Sequence, residues 1–167
     1  MSKTALVTGA SSGIGRGIAI KFGQEGWEVT LVARRKENLD VVAKEVEEAG
    51  GKAHIFATDL TKEGNPESAI EFGIEKMGQI GTLVNNAGMG RFEMVPDIKD
   101  KSFQEQFQLN VWACMATVRS VVPHFKKNEG GQIVNIGSIV GYLGISKGSI
   151  YSSTKWALRG LNESWRE

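Results

Sequence analysis

The sequence predicts an α/β protein, a parallel sheet sandwiched between helices. Apolar, strand-forming runs alternate with amphipathic helical stretches along the whole chain. The runs are largely apolar rather than apolar at every second residue, as in strands covered on both faces, and such strands need right-handed helical crossovers. No linker or low-complexity tract interrupts the alternation. The 167 residues therefore read as one domain, 1–167, long enough for a substantial core.

Thr4 to Thr8 is a run of strand formers that Gly9 ends. Ile14 to Gln24 follows as a helix, with Ile14, Ile18 and Phe22 on one face. Val29 to Ala33 is the second strand. Glu37 to Ala49 is a helix with Leu39, Val42, Ala43 and Val46 on one side, stopped by Gly50-Gly51. After a third strand, Ala53 to Ala57, Asn65 offers a cap and Pro66 suits a first helical turn; that helix runs to about Met77. Thr82 to Asn85 is the fourth strand. A long helix spans Lys99 to about Lys127, with a kink expected at Pro123. Gln132 to Ile136 is the fifth strand, and a last helix occupies Ile150 to the C-terminus.

A formal net charge of +1 gives no reason to expect nucleic acid or an anionic membrane as partner. The N-terminus has no long apolar core and reads as neither signal peptide nor membrane span. Cys114 is the single cysteine, so no intrachain disulfide or cysteine metal cluster can form; this fits a cytoplasmic protein. Inside the long helix it reads as a small buried apolar residue. His54 and His124 lack metal-ligand spacing and read as structural, so no metal is expected.

Gly9, Ala10, Ser11, Ser12, Gly13, Ile14 and Gly15 follow the first strand and open a helix. Glycines there let the chain turn tightly and bring backbone N–H groups against a pyrophosphate, at the positive end of the helix dipole. The spacing differs from G-x-G-x-x-G, and a purely structural turn is the competing reading. The second strand ends in Ala33-Arg34-Arg35-Lys36, where an NAD-preferring fold carries an acid for the ribose 2′-hydroxyl. A basic tip suits a 2′-phosphate, held by the arginine fork, and so predicts NADP, with Arg34 first and Arg35 second. Lys36 better fits the alternative, a solvated charge run opening the next helix. Asp59, beyond the third strand, suits an adenine amino group or a turn; Asn85-Asn86-Ala87-Gly88 suits a cofactor wall or a turn.

Ser138 lies at the end of the fifth strand, and Tyr151 and Lys155 share a helix face at i, i+4. Open α/β sheets bind ligands beyond the carboxyl ends of their strands, where Ser138 emerges. A lysine ammonium one turn away favours an ionised phenol and makes a tyrosine usable as acid/base, while a serine hydroxyl can orient a substrate oxygen. A surface Tyr–Lys pair beside an ordinary turn serine is the competing reading.

Together, Thr8 to Gly15, Asn85 to Gly88, Ser138 and Tyr151-Ser152-Ser153-Thr154-Lys155 resemble the short-chain dehydrogenase/reductase family, over essentially the whole chain. The resemblance implies a Rossmann-type three-layer α/β/α sandwich. Tyr151 would be the catalytic acid/base, Lys155 its helper and a ligand of the nicotinamide ribose, and Ser138 the residue orienting the carbonyl. Asn110 matches the family's fourth catalytic residue, which helps hold a proton-relay water. Cofactor contacts would come from Gly9, Ser11, Ser12, Gly13, Ile14, Gly15, Arg34, Arg35, Asp59, Leu60, Asn86, Ala87 and Gly88, with Tyr151 and Lys155.

Family members continue beyond the point where this sequence stops, so the reading is of a truncated member. The sheet is expected to keep about five strands, in order 3-2-1-4-5, without the later strands and the substrate lid. That leaves the fifth strand at an edge, a hazard unless something covers it. A homodimer covering that edge is expected, with Trp156 and Trp165 on the last helix in the interface. Three functions compete: an NADP-dependent oxidoreductase of a small uncharged ketone, aldehyde or alcohol; an NADP-binding module with little turnover; and an assembly unit with a collapsed pocket. Gly90 to Phe92 and Gly141 to Gly148 are expected to border the substrate pocket.

Overall fold

The computed structural model describes residues 2–128 and 130–166. In chain order the elements are β1 (Thr4–Thr8), α1 (Gly13–Gln24), β2 (Glu28–Ala33), α2 (Lys36–Glu48), β3 (Lys52–Ala57), α3 (Asn65–Met77) and β4 (Thr82–Asn85). They continue with α4 (Asp100–Phe107), a π-helical turn at Gln108–Trp112, α5 (Ala113–Lys127), β5 (Gln132–Asn135) and α6 (Ser149–Ser164). Single 3-10 turns lie at Val95–Asp97 and Ile139–Gly141.

The five strands form one parallel sheet in the order β3-β2-β1-β4-β5. β1 is central and buried along its whole length, which is why TALVT carries no charge. Successive strand side chains point to opposite faces. Leu6 thus enters a core with Ile70, Leu83, Val121 and Phe125, under α3 and α5. Val7 enters the other core, with Leu31, Leu39, Val42 and Val46, under α1 and α2. Leu39, Val42, Ala43 and Val46 are the buried face of α2 that the spacing predicts. Each fully buried Leu or Val adds about 1.5–3 kcal/mol over leaving it exposed. α6 joins the α3/α5 side, where Trp165 packs partly buried against that core. Trp156 is half exposed. Glu167, at the end of the expected last helix, lies outside the described residues.

Two expectations are corrected. Asn65 does not cap α3: Gly64 holds that position in the left-handed region (φ 81°), and Asn65 instead donates its side-chain amide to the Asp59 carbonyl. The long helix is not α throughout: it departs from α geometry at Gln108–Trp112, and Pro123 lies inside the second part, α5, which runs on to Lys127. There the Ala113 N–H reaches back five residues to the Gln108 carbonyl, the π pattern.

Candidate active site

The carboxyl ends of β1, β2, β3 and β4 border a cleft of about 580 Å³, within the range of cofactor-sized sites. Gly9, Ser11, Ser12 and Ile14 line it from the β1 loop, Arg34 and Arg35 from the end of β2, and Asp59 and Leu60 from beyond β3. Asn86, Ala87 and Gly88 close it after β4. Gly13 and Gly15 do not line it. Gly13 makes the turn into α1 (φ 58°), and Gly15 is buried beneath the loop.

The loop takes its shape from β4. The Thr8 hydroxyl donates to the Val84 carbonyl (3.3 Å) and accepts from the N–H groups of Asn86 and Ala87 (both 3.0 Å). The Asn86 side-chain amide donates back to the carbonyls of Thr8 (3.0 Å) and Gly9 (3.2 Å). Gly9 adopts φ 65°, and a Cβ there would lie 2.8 Å from the Ala87 Cα. The side chain of Ser12, at the N-cap of α1, makes no capping bond, and the first turn holds no acid. The start of α1, beside the cleft, thus has neither a side-chain cap nor a competing negative charge, an arrangement that fits a phosphate.

Both arginines reach the cleft, in different ways. Arg35 donates to the hydroxyls of Ser11 (3.3 Å) and Ser12 (3.5 Å), which hold it over the glycine loop. Arg34 lends its charge to Asp59 instead. Burial pushes the Asp59 carboxyl up, but the Thr61 N–H and hydroxyl bonds and the charges of Arg34 and Lys62 outweigh it, leaving Asp59 below the usual aspartate range. Its Oδ1 accepts from Thr61 N–H (3.0 Å) and Thr61 Oγ1 (2.8 Å), so Asp59 is turn residue and cleft wall at once.

Beyond Gly88 the same segment reaches Tyr151. A Cβ on Gly90 would touch the Tyr151 ring at 3.2 Å, and Phe92 meets the ring edge-on with centroids 5.9 Å apart. Lys155 is 8% exposed, and its Nζ donates to the Ile136 carbonyl (2.8 Å) and stands 5.8 Å from the Tyr151 ring centroid. Burial holds the Lys155 ammonium below the ordinary lysine range, against a smaller raising effect of Cys114. The buried Cys114 thiol is itself pushed up to about 12, chiefly by desolvation. Ser138 follows β5 and caps the Ile139–Gly141 turn, its hydroxyl accepting from the Val140 N–H (3.3 Å); Gly141 packs on the backbone of Lys155.

Asn110 lies in the π turn. Its Oδ1 accepts from the Met89 N–H (2.8 Å), and its Nδ2 donates to the Met89 carbonyl (2.7 Å) and to Thr154 Oγ1 (3.0 Å). A cavity of about 10 Å³ lies between Asn110 and Lys155. Sequence reasoning missed the bridging work of the Thr8 and Thr154 hydroxyls. Neither residue type nor spacing marks them, because their partners lie up to 79 and 44 residues away. Among the described residues, no three His, Cys, Asp or Glu side chains gather to hold a metal ion, and no helix is long and apolar enough to cross a membrane.

The chain matches the short chain dehydrogenase family model over residues 3–167. It is 30% identical over 99% of its length to an uncharacterised oxidoreductase of Listeria innocua, of which it covers 66%. It is 33% identical over 98% of its length to the 3-oxoacyl-(acyl-carrier-protein) reductase of Thermotoga maritima, again covering 66% of that protein. Among solved structures it superposes on a metagenomic short-chain oxidoreductase in complex with NADP. The TM-score is 0.93 and the identity 35%, covering 98% of this chain and 75% of the other. It superposes equally on an NAD+-bound xylitol dehydrogenase, with TM-score 0.93 and 28% identity, covering 98% of this chain and 64% of that one. The chain thus spans about two thirds of the length of the curated relatives it matches. The parallel β3-β2-β1-β4-β5 sheet, the glycine loop held by β4 and the match across 3–167 lead to one conclusion: this chain belongs to the short chain dehydrogenase family.

Proposed function

We propose that the protein is an NADP(H)-dependent oxidoreductase that interconverts a small uncharged carbonyl compound and its alcohol, with Tyr151 as acid/base. The observation that carries this is a continuous wall. The segment from Asn86 to Gly88 lines the cofactor-sized cleft, and its continuation through Gly90 and Phe92 lies against the Tyr151 ring. A cofactor seated in the cleft and a carbonyl beside Tyr151 would therefore be neighbours, and such positioning is a major part of catalysis.

Bound NADPH would supply the hydride. The uncapped start of α1 receives the pyrophosphate, and Asp59 and Leu60 border the adenine. Arg35, braced by Ser11 and Ser12, pairs with the 2′-phosphate, and Arg34 flanks it. The Ser138 hydroxyl orients the substrate oxygen, and the Tyr151 O–H delivers the proton that makes it an alcohol. The Lys155 ammonium stabilises the tyrosinate left behind and has two further hydrogens for the ribose, since only one is engaged with Ile136. The cavity between Asn110 and Lys155 is at the lower size limit for a single water, which suits a proton relay to Lys155.

The experiment is NADPH oxidation with a panel of small ketones and aldehydes. Wild type turns over, and Tyr151→Phe loses about 10²–10⁴-fold in rate, the usual share of acid–base catalysis. NADPH binding without turnover of any carbonyl would favour a second reading, a binding module. The openness of the substrate side speaks for it, Phe92 beside Tyr151 being 56% exposed. The same reading has the protein act in the cytoplasm, in keeping with its single cysteine, and pair as a homodimer over the edge of β5.

A further inference from the structure

We propose that Thr154 is a positioning residue for the reaction, its buried hydroxyl locking the turn that carries Tyr151 to the loop that walls the Tyr151 ring. This rests on the reading of Tyr151 as acid/base. Thr154 has no exposed surface and Asn110 is 3% exposed, so their polar atoms must find partners inside the protein. Thr154 Oγ1 accepts from Asn110 Nδ2 (3.0 Å) and spends its one hydrogen on the Tyr151 carbonyl (2.7 Å). Asn110 in turn grips Met89 by both backbone groups, through Oδ1 to its N–H and through Nδ2 to its carbonyl.

Each member of this chain fixes the next. Turning the Asn110 amide over would set its NH₂ against the Met89 N–H, so only one orientation satisfies the loop. In that orientation both Nδ2 hydrogens are used, and the second needs the Thr154 oxygen. Met89 precedes Gly90, whose α-carbon lies against the Tyr151 ring. The contacts therefore close into a circuit: Tyr151 carbonyl, Thr154, Asn110, Met89, Gly90 and back to the ring of Tyr151. Thr154 thereby acts on Tyr151 twice, through its backbone and through the wall that its ring rests on. Without the hydroxyl, a buried Asn110 N–H is left unpaired and the amide is free to release Met89.

The test compares Thr154→Val, which keeps the volume and removes the hydroxyl, with Thr154→Ser, which keeps the hydroxyl. Thr154→Ala is a third variant in case the valine chain does not fold. Hydrogen exchange at the Met89 amide is followed with kcat, the KM for NADPH and the pH profile of kcat. In Thr154→Val (or Thr154→Ala), Met89 exchange rises and kcat falls, each by about tenfold, the size of one buried hydrogen bond. The KM for NADPH holds, and the limb of the pH profile that reports Tyr151 moves. Thr154→Ser restores wild-type values in all four. Wild-type exchange at Met89 in a folded variant lacking the hydroxyl overturns the proposal, and so does an unchanged kcat. A serine variant as impaired as the valine one overturns it as well, since packing rather than the hydroxyl would then be at work. If wild type binds NADPH but reduces no carbonyl, the reading of Tyr151 fails, and the Met89 exchange still decides whether the lock exists.

Discussion

A Cβ on Gly15 would meet the Gly9 carbonyl at 2.5 Å, whereas one on Gly17, two residues along α1, would meet nothing within 4 Å. Gly17→Ala is therefore expected to stabilise the fold by about 1 kcal/mol through helix propensity. Gly15→Ala should lower stability and NADPH affinity together. Urea unfolding and NADPH fluorescence titration on both variants check this. At the tip of β2, Arg35→Ala is expected to weaken NADPH by about 10–100-fold, the scale of one charged hydrogen-bonded contact, and to leave NADH nearly unchanged. Parallel titrations with the two cofactors read the difference. Glycines and a basic strand end are each tied to a local need, so the segments that border the cleft could be read from the sequence. Which of two neighbouring arginines lies over the loop was not legible. Arg35, the N-cap of α2, falls within reach of Ser11 and Ser12, and only the path of the chain into that helix decides it.

At the scale of elements, strands and helices followed the apolar periodicity in place and type, but in α1 the buried positions are Gly15, Ala19 and Gly23, one residue on from Ile14, Ile18 and Phe22, and Ile14 is exposed. Periodicity registers which face is buried, so it ran through residues 99 to 127 as one helix. The π turn inserts its extra residue without changing that face enough to show. Gly64 displaced Asn65 as cap because its left-handed backbone (φ 81°) turns the chain into α3, freeing the Asn65 amide for the Asp59 carbonyl. Another junction depends on pH. His124 on α5 accepts the Ile80 N–H at Nε2 (3.1 Å), joining α5 to the approach to β4, so the bond needs that nitrogen unprotonated. Burial, then the Lys127 charge, holds His124 below the ordinary histidine value. Between the two values the unfolded chain binds more protons, so stability rises with pH. The contribution is complete above about pH 6.5 and is lost as pH falls through the folded value. Urea midpoints from about pH 7.5 to about pH 5 should fall more steeply in wild type than in His124→Gln.

Across the whole molecule, the two-sided core was legible because the central strand β1 is buried along its whole length and its neighbours are largely apolar, but strand order came from family resemblance alone. Periodicity carries no word on which strand lies beside which. The sheet has two edges among the described residues, β3 and β5. β5 carries half-buried Ile133 and Val134, with Ile136 just beyond it, and Trp156 stands half exposed on α6. Sedimentation at micromolar concentration is expected to show a dimer, and a stable monomer would remove β5 as a pairing edge. Trp165, which the sequence offered to a partner, packs partly buried against the α3/α5 core. The grip of Thr8 on Asn86 and Ala87 also has a consequence for how the protein comes to be folded. The glycine loop and the first helix are complete by residue 24, yet the bonds that shape the loop come from residues 84 to 87. A nascent β1-α1-β2 unit emerging from the ribosome has the loop's sequence without its form. The loop's shape therefore depends on a long-range contact with β4, of the kind that contact order makes slow to form, rather than on helix formation.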